Sequence, residues 1–429
     1  MAKDHRQVQR DRVVVVGAGF GGFQTAQSLS GANADVILID RNNYSTFTPL
    51  IYQVATGQLE PTLVAYPIRT KLRGMKNVRF LQAAVDRIDF DNKLVGTHAG
   101  LVPYEYLVIA TGTQPSYHGV PGAQEHTFTL KSLQGAIALR DHILCCFEQA
   151  AIVKEIEERQ RLLTFVIVGG GATGVEVAGA LAELLQGAFR RDFSELIGLE
   201  RIVLVQSASS LLPEFSQQLG NYTHRKLERM GVEVHLNVKM AEVTAASATL
   251  SNQQIFNTAT VVWAAGIQAA QPDLAQPVKE ASKGKLVVRD TLQLMSHPNV
   301  YAIGDVAYFE RLGKPLSGVA PEALQQGVTT AYNIRRQLKG KLPQPFGYWN
   351  KGRLAIVGGY GGVGRIAGID FGSFGAWIMW LIVHLTYLPG YRNRLFVLLT
   401  WIQNYLLGDR AIRQVSSQIR HTASSRGHK

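Results

Sequence analysis

Cysteine is almost missing from this sequence: 429 residues hold two, adjacent at Cys145 and Cys146. Neighbouring cysteines rarely bridge each other, and nothing nearby has zinc-ligand spacing. A disulfide framework and a structural metal are therefore excluded, and a reducing compartment is expected. No apolar run reaches the ~18 residues needed to cross a bilayer as a helix. The polar stretch from Met1 to Arg12 lacks an apolar segment, so a secretory signal is not expected. Acidic residues are in deficit, 32 against 44 basic ones, for a net charge of +12. Such a balance favours an anionic partner, either nucleic acid or an acidic membrane surface. Low-complexity tracts are absent too, and a chain that is 46% hydrophobic and 18% charged is poor material for disorder.

What is present is a repeat. Roughly three times the ~150-residue domain prior, the chain should hold two or three domains. The run Arg12-Val-Val-Val-Val leads into Gly17-Ala-Gly19-Phe20-Gly21-Gly22, a helix-like stretch and the apolar run Val36 to Asp40. The run Phe165-Val-Ile-Val leads into Gly169-Gly-Gly171-Ala-Thr-Gly174, a second helical stretch and the run Arg201 to Gln206. Short continuous apolar runs before glycines read as strands buried on both faces. This is βαβ written twice, an α/β chain with two Rossmann-like dinucleotide sites. In the first, Gly17 permits the tight turn, Gly19 lets backbone amides approach a pyrophosphate, and Gly22 allows close helix–strand packing. Asp40, at the strand end, is placed to accept ribose hydroxyls. Gly169, Gly171 and Gly174 repeat the pattern, but the second strand ends in Gln206. A carboxylate there would hold the diol of NADH and repel the 2′-phosphate of NADPH by about 1 kcal/mol in water and about 4 at an effective dielectric of 20. Gln206 lifts that repulsion, with Ser207, Ser209 and Ser210 nearby as phosphate partners, so NADPH should be tolerated; the other reading has Gln206 binding the NADH diol as a neutral partner.

Further strand-like runs end in small residues at Thr111-Gly112, Gly266 and Gly304-Asp305. Lys154 to Arg161 reads as a solvated helix, and Gln337 to Tyr348 as a boundary. Beyond it, Phe374 to Leu388 is a 15-residue uncharged apolar stretch, followed after Pro389-Gly390 by a second from Leu395 to Leu407. From Gly361 onward eight Arg or Lys face two Asp, so half of the excess charge lies in the last sixth of the chain.

The two cradles, with Ala110-Thr111-Gly112 and Ala302-Ile303-Gly304-Asp305, resemble the two-dinucleotide-binding flavoprotein superfamily. That resemblance implies FAD in the first cradle, NAD(P)H in the second, and Asp305 on the flavin ribityl chain. The cysteines of its disulfide reductases and sulfide:quinone reductases are missing. A narrower resemblance lies in Arg41-Asn-Asn-Tyr44-Ser-Thr-Phe47-Thr-Pro49-Leu50-Ile-Tyr52-Gln53-Val-Ala55-Thr56-Gly57, in Gly174-Val-Glu176, in Gly318-Val-Ala-Pro-Glu-Ala-Leu-Gln325-Gln326-Gly327, in the Trp-rich tail and in Tyr391-Arg-Asn-Arg394-Leu. These are similar to type II NAD(P)H:quinone oxidoreductases, the single-subunit, non-pumping NADH dehydrogenases. The chain departs from that family where Pro321 replaces a glutamine, where Gly359 replaces a polar residue, and at Gln206. Those departures point toward a branch similar to the cyanobacterial and plastid enzymes that reduce plastoquinone or a phylloquinone precursor.

The resemblance implies an FAD-binding domain from residues 1–117 and 266–345, an NAD(P)H-binding domain over 118–265, and a membrane-associating region over 346–429. Cofactor contacts are expected at Gly17, Gly19, Phe20, Gly21, Gly22, Asp40, Arg41, Thr111, Gly112, Gly304 and Asp305 for FAD. For the nicotinamide nucleotide they are Gly169, Gly171, Gly174 and Gln206, with Gly266 also counted as cofactor-binding. Glu176 is assigned to the nicotinamide–flavin contact. Pro321 suits the first turn of a helix whose positive end faces the flavin pyrimidine, leaving Gln325 and Gln326 in the acceptor pocket. Phe47, Pro49 and Tyr52 are expected to wall a quinone channel.

At ~1.5 Å per residue the 15-residue run spans about 22 Å, short of the ~30 Å hydrocarbon core. Short apolar helices with Trp and flanking Arg instead fit an anchor lying in the interface of an anionic membrane, on the NAD(P)H-containing, cytoplasmic face. The same tail is a candidate homodimer contact. No nucleic-acid module is visible. The expected partner is a membrane quinone: plastoquinone, ubiquinone or a naphthoquinone. The competing readings are a biosynthetic naphthoquinone reductase, a soluble reductase of a ferredoxin- or rubredoxin-like protein, and a flavin-binding redox-sensing scaffold.

Overall fold

Val13, Val14 and Val15 are fully buried, as are Val166 and Ile167 in the second repeat, because each run is the central strand of a parallel sheet covered on both faces. In a computed structural model that describes residues 10–311 and 313–407, the first sheet runs in the order Val300–Ala302, Tyr106–Ile109, Arg12–Val16, Asp35–Asp40, Val78–Gln82. All four pairings are parallel. The second sheet runs Phe128–Thr129, Thr260–Trp263, Thr164–Val168, Arg201–Val205, Val232–His235, again all parallel.

Each sheet is crossed by a three-stranded antiparallel meander, over Val85–Asp89, Leu94–Thr97 and Gly100–Pro103 in the first unit and Met240–Val243, Ser247–Leu250 and Ile255–Asn257 in the second. The duplication therefore extends from the cradle to the whole unit. The registers coincide: Val16 pairs with Ile39 and Val168 with Val205, so Asp40 and Gln206 stand at equivalent strand ends.

The tail does more than carry apolar helices. Arg353–Gly358, Gly361–Ile366 and Ile369–Ser373 form an antiparallel sheet that lies on the helix Ala172–Leu184. Gly179 makes this approach possible, since a Cβ there would stand 2.1 Å from the Val357 carbonyl oxygen. Two helices follow, Phe374–Tyr387 and Tyr391–Leu407. Gly390 turns between them at φ +84°, and its missing Cβ leaves room for the Tyr66 ring. One hydrophobic core joins Phe47 to Val64, the second cradle's helix, and Trp377, Trp380, Val397 and Trp401 of the tail. That shared core fixes the geometry of the candidate site. The C-terminal basic residues beyond Leu407 lie outside the described residues.

Candidate active site

In the first cradle Gly17 adopts φ +100° and donates its N–H to the Ile39 carbonyl at 2.8 Å. A Cβ on Gly22 would sit 1.9 Å from the Gly17 carbonyl oxygen, and one on Gly17 2.4 Å from that of Ala110. Gly19 differs: a Cβ there meets nothing within 4 Å. It stands directly before the helix Phe20–Ser28, so open space lies in front of unpaired helix N–H groups, where a pyrophosphate fits. Thr111 Oγ1, at the neighbouring strand end, is shielded from solvent and has no hydrogen-bond partner; a ligand hydroxyl or phosphate would supply one. Both observations fit FAD. The Asp40 carboxylate accepts N–H bonds from Ala18 at 2.7 Å and Asn42 at 2.8 Å. Burial raises its pKa, and those bonds and the exposed Arg41 pull it partly back.

The helix Ala320–Gln337 crosses Phe20–Ser28 closely. A Cβ on Gly327 would come within 2.5 Å of the Gly21 carbonyl oxygen, and Thr25 Oγ1 donates to the Gly21 carbonyl at 2.9 Å. Pro321 occupies its first turn. Glu322, buried, accepts from the N–H of Gly318 at 2.7 Å and of Val319 at 3.2 Å. Gln326 is buried and its Oε1 accepts the Gly304 N–H at 2.6 Å. Gly304 and Asp305 are thereby held at the mouth of a small cavity that Gln326, Glu322 and Gly318 also line. Burial raises the Asp305 pKa, against the pull of Lys131 and Lys285. Gln325 points elsewhere: its amide clamps the Trp349 backbone, donating to the carbonyl and accepting from the N–H, both at 2.9 Å.

The second cradle repeats the first. Gly169 has φ +110°, and a Cβ on Gly174 would lie 1.8 Å from its carbonyl oxygen, while Gly171 faces open space. Gln206 is buried; its Oε1 accepts the Gly170 N–H at 3.1 Å and its Nε2 donates to the Ser210 carbonyl at 3.4 Å. It thus occupies the role that Asp40 plays toward Ala18, without the charge. Gly266 serves the backbone crossing between the units, where a Cβ would strike His118 Nε2 at 2.2 Å.

Between the cradles stands an aromatic wall. Phe20 meets Phe47 edge-on at 5.8 Å; Phe47 meets His384 at 6.3 Å; His384 stacks on Trp380 at 3.8 Å; Trp380 meets Tyr52 at 6.2 Å. Pro49 shapes the turn Thr48–Leu50 that joins Phe47 to Tyr52. Behind them, Trp401 Nε1 donates to Gln53 Oε1 at 2.8 Å, and Gln53 Nε2 donates to Tyr52 Oη at 3.0 Å. Glu176, one turn into the second cradle's helix, directs its carboxyl at this wall. Burial pushes its pKa up to about 8; the Ile356 N–H and the Trp380 indole N–H draw it partly back. That indole nitrogen is buried without a hydrogen bond of good geometry. His384 is held neutral, its pKa lowered to about 4 by burial, with Nδ1 2.7 Å from the Trp380 carbonyl oxygen. The structure therefore brings Phe20, Phe47, Tyr52 and Glu176 together and adds Gln53, Trp380, His384 and Trp401. In sequence the only sign of the last three was an unusual density of Trp and His in an apolar tail.

Residues 11–327 match the pyridine nucleotide-disulphide oxidoreductase family. Across 96% of this chain and 91% of the relative, the sequence is 36% identical to the type II NADH:quinone oxidoreductase Ndh of Mycobacterium tuberculosis. A second protein of that organism, the type II NADH:quinone oxidoreductase NdhA, is 36% identical over 96% of this chain and 90% of its own length. Among solved structures, NDH2 of Plasmodium falciparum in complex with NADH superposes with a TM-score of 0.86 at 20% identity, covering 93% of this chain and 99% of that one. With both nucleotide cradles, the wall between them and nearly its whole length accounted for, the chain belongs to the type II NADH:quinone oxidoreductases within the pyridine nucleotide-disulphide oxidoreductase family.

Proposed function

We propose that this chain is an FAD-dependent enzyme that moves two electrons from NADH, and from NADPH, to a membrane quinone without pumping protons. The observation that carries the reading is the aromatic wall flanked by two empty-fronted glycine cradles and one carboxyl, that of Glu176, directed at it. When bound, FAD supplies the two-electron exchange between nicotinamide and quinone. Gly17, Gly19, Phe20, Gly21 and Gly22 present the first helix N-terminus to its pyrophosphate. Asp40 and Arg41 would hold its adenosine ribose, Thr111 and Gly112 would line its path, and Gly304 and Asp305 would meet its ribityl hydroxyls. Gly169, Gly171 and Gly174 do the same for the nicotinamide nucleotide.

Glu176 holds a proton at neutral pH, so its carboxyl donates a hydrogen bond at the junction of nicotinamide, flavin and quinone. Phe47, Pro49 and Tyr52, with Trp380 and His384 behind them, exclude water and give a flat apolar slot for the quinone ring. Gln326 holds the Gly304 amide next to Asp305, on the flavin side of the site; Gln325, spent on the Trp349 backbone, takes no part in the slot. Because Gln206 is neutral, the 2′-phosphate of NADPH meets no carboxylate there.

No helix among the described residues is long and apolar enough to cross a membrane. The two tail helices instead each bury one side and expose another, with Phe374, Ile378, Ile382, Leu395, Leu399 and Ile402 turned outward. Such a face suits insertion into the interface of an anionic bilayer; pairing with a second copy is its other use. A soluble reductase of an iron–sulfur protein would have no need of it. Steady-state rates with NADH and NADPH against short-chain ubiquinone, plastoquinone and naphthoquinone analogues test the proposal. Turnover with both donors and at least one of these quinones is expected; failure with every quinone would refute it.

A further inference from the structure

The helix Gln217–Arg229 places Arg225, Lys226 and Arg229 on a cavity of about 420 Å³ completed by Tyr222, Met230 and Ser373. Its size falls within the range of small-ligand pockets. The side chains of Arg225 and Arg229 are exposed and form no hydrogen bond or ion pair with the described residues. Like charges four residues apart on a helix repel weakly, and an anion between them would turn that repulsion into attraction. Of the acids near it, Glu183 accepts from the Gly359 N–H at 2.6 Å and from Gln58 at 3.1 Å, and Glu228 lies 3.3 Å from His224 Nε2 and pairs with neither arginine. Lys226 is fixed in place by donating to the Gly359 carbonyl at 2.8 Å. Its stem lies where a Cβ on Gly361 would stand, 2.3 Å from Cε.

The position of the cavity decides what the anion is. Ser373, in its lining, is followed at once by Phe374, which is 57% exposed and opens the first apolar tail helix. Phe374 stacks on Trp377 at 5.3 Å. Tyr360, beside Gly359 and Gly361, is 48% exposed and donates to the Tyr405 carbonyl at 2.8 Å in the second tail helix. Unpaired cations thus border the point where the outward apolar face begins. We propose that this cavity binds the phosphate of an anionic membrane phospholipid, whose acyl chains run along the face that starts at Phe374. The site rests on the membrane-surface reading above. It adds a fixed headgroup contact to a diffuse attraction, and so sets the rotation of the enzyme on the bilayer.

Flotation of the full-length flavin-loaded protein with two kinds of vesicle tests it, one of phosphatidylcholine alone and one with a third phosphatidylglycerol. Arg225→Gln/Arg229→Gln should lower partitioning onto the anionic vesicles about thirtyfold, from the contribution of two basic residues at an anionic surface, and leave partitioning onto neutral vesicles unchanged. Lys239→Gln/Lys279→Gln, which removes the same charge from exposed positions outside the cavity lining, should cost far less. Turnover of a short-chain quinone in detergent should be unaffected in both variants, which shows that they fold. Equal losses in the two variants, or none in either, would overturn the headgroup site while leaving the membrane reading intact. Inorganic phosphate that binds the wild type but not the arginine variant, with no effect on flotation, would also overturn it in favour of a free anion. A wild-type protein that floats with neither vesicle would overturn both.

Discussion

Glu176 and Gln206 are the two residues whose chemistry departs most from what their type would suggest. A carboxyl with a pKa near 8 in the folded chain, against an ordinary 4.5, keeps a proton that the unfolded chain has released. Between those values the folded state binds more protons, so stability falls as pH rises through the window and the loss is complete above about 8. Glu176→Gln removes the titration. Its melting temperature should gain on the wild type from pH 4.5 to pH 8 and then hold level, and thermal melts across that range check it. In turnover, the wild type is expected to have an alkaline limb near pH 8 that Glu176→Gln lacks, and Glu176→Gln should keep more activity than Glu176→Ala. At Gln206, restoring an acid should reinstate repulsion of a 2′-phosphate. Gln206→Glu is expected to lower kcat/KM for NADPH relative to NADH at least fivefold, from about 1 kcal/mol or more of unscreened repulsion. The Gly170 N–H would keep its acceptor while the long bond to the Ser210 carbonyl is lost, so the melting temperature is measured alongside. An unchanged donor ratio in steady-state kinetics would count against the role given to Gln206. The family resemblance singled out Glu176, and the end of the second repeat's strand singled out Gln206. The sequence carried no sign that Glu176 meets Trp380, or that Gln206 serves Gly170, since those contacts depend on strand register and on a segment two hundred residues away.

Among the elements, the two glycine turns make a reciprocal pair of tests. In each, the third glycine lies so close to the first that a methyl group would overlap its carbonyl oxygen, at 1.9 Å for Gly22 and 1.8 Å for Gly174. Gly22→Ala should push the first helix off its strand and yield protein purified without the yellow flavin spectrum. Gly174→Ala should keep the flavin and raise KM for NADH tenfold or more, a loss on the order of 1.4 kcal/mol. Absorbance of the purified variants and NADH titration separate the outcomes, and flavin loss in both would contradict the division of labour between the cradles. These turns were legible because strand, glycines and helix follow one another within thirty residues. The sheet over Arg353–Ser373 was not. Its strands are rich in glycine, and they gain their order by lying on Gly179 of the second unit rather than from any alternation of their own.

For the molecule as a whole, the tail is at once core and surface. Trp380, Val397 and Trp401 are buried against the segment that includes Tyr52, while Ile382 and Leu399 point outward. Composition identified the tail as apolar and too short to span a bilayer, but it could not tell the inner side from the outer, because both are made of the same residue types. Removing residues 374–407 should therefore destabilise the enzyme rather than merely solubilise it. Ile382→Glu/Leu399→Glu should instead leave the melting temperature nearly unchanged and sharply reduce flotation with vesicles, with short-chain quinone turnover retained. Parallel melts and flotation distinguish the two cases.

The central claim is that one polypeptide carries electrons from a nicotinamide to a quinone through a flavin held between its two cradles. Anaerobic absorbance spectroscopy of the purified, flavin-loaded protein tests it most directly. NADH should bleach the flavin bands stoichiometrically, and a short-chain quinone added without oxygen should restore them. Bands that NADH leaves intact, or that stay bleached after every quinone offered, would contradict the account.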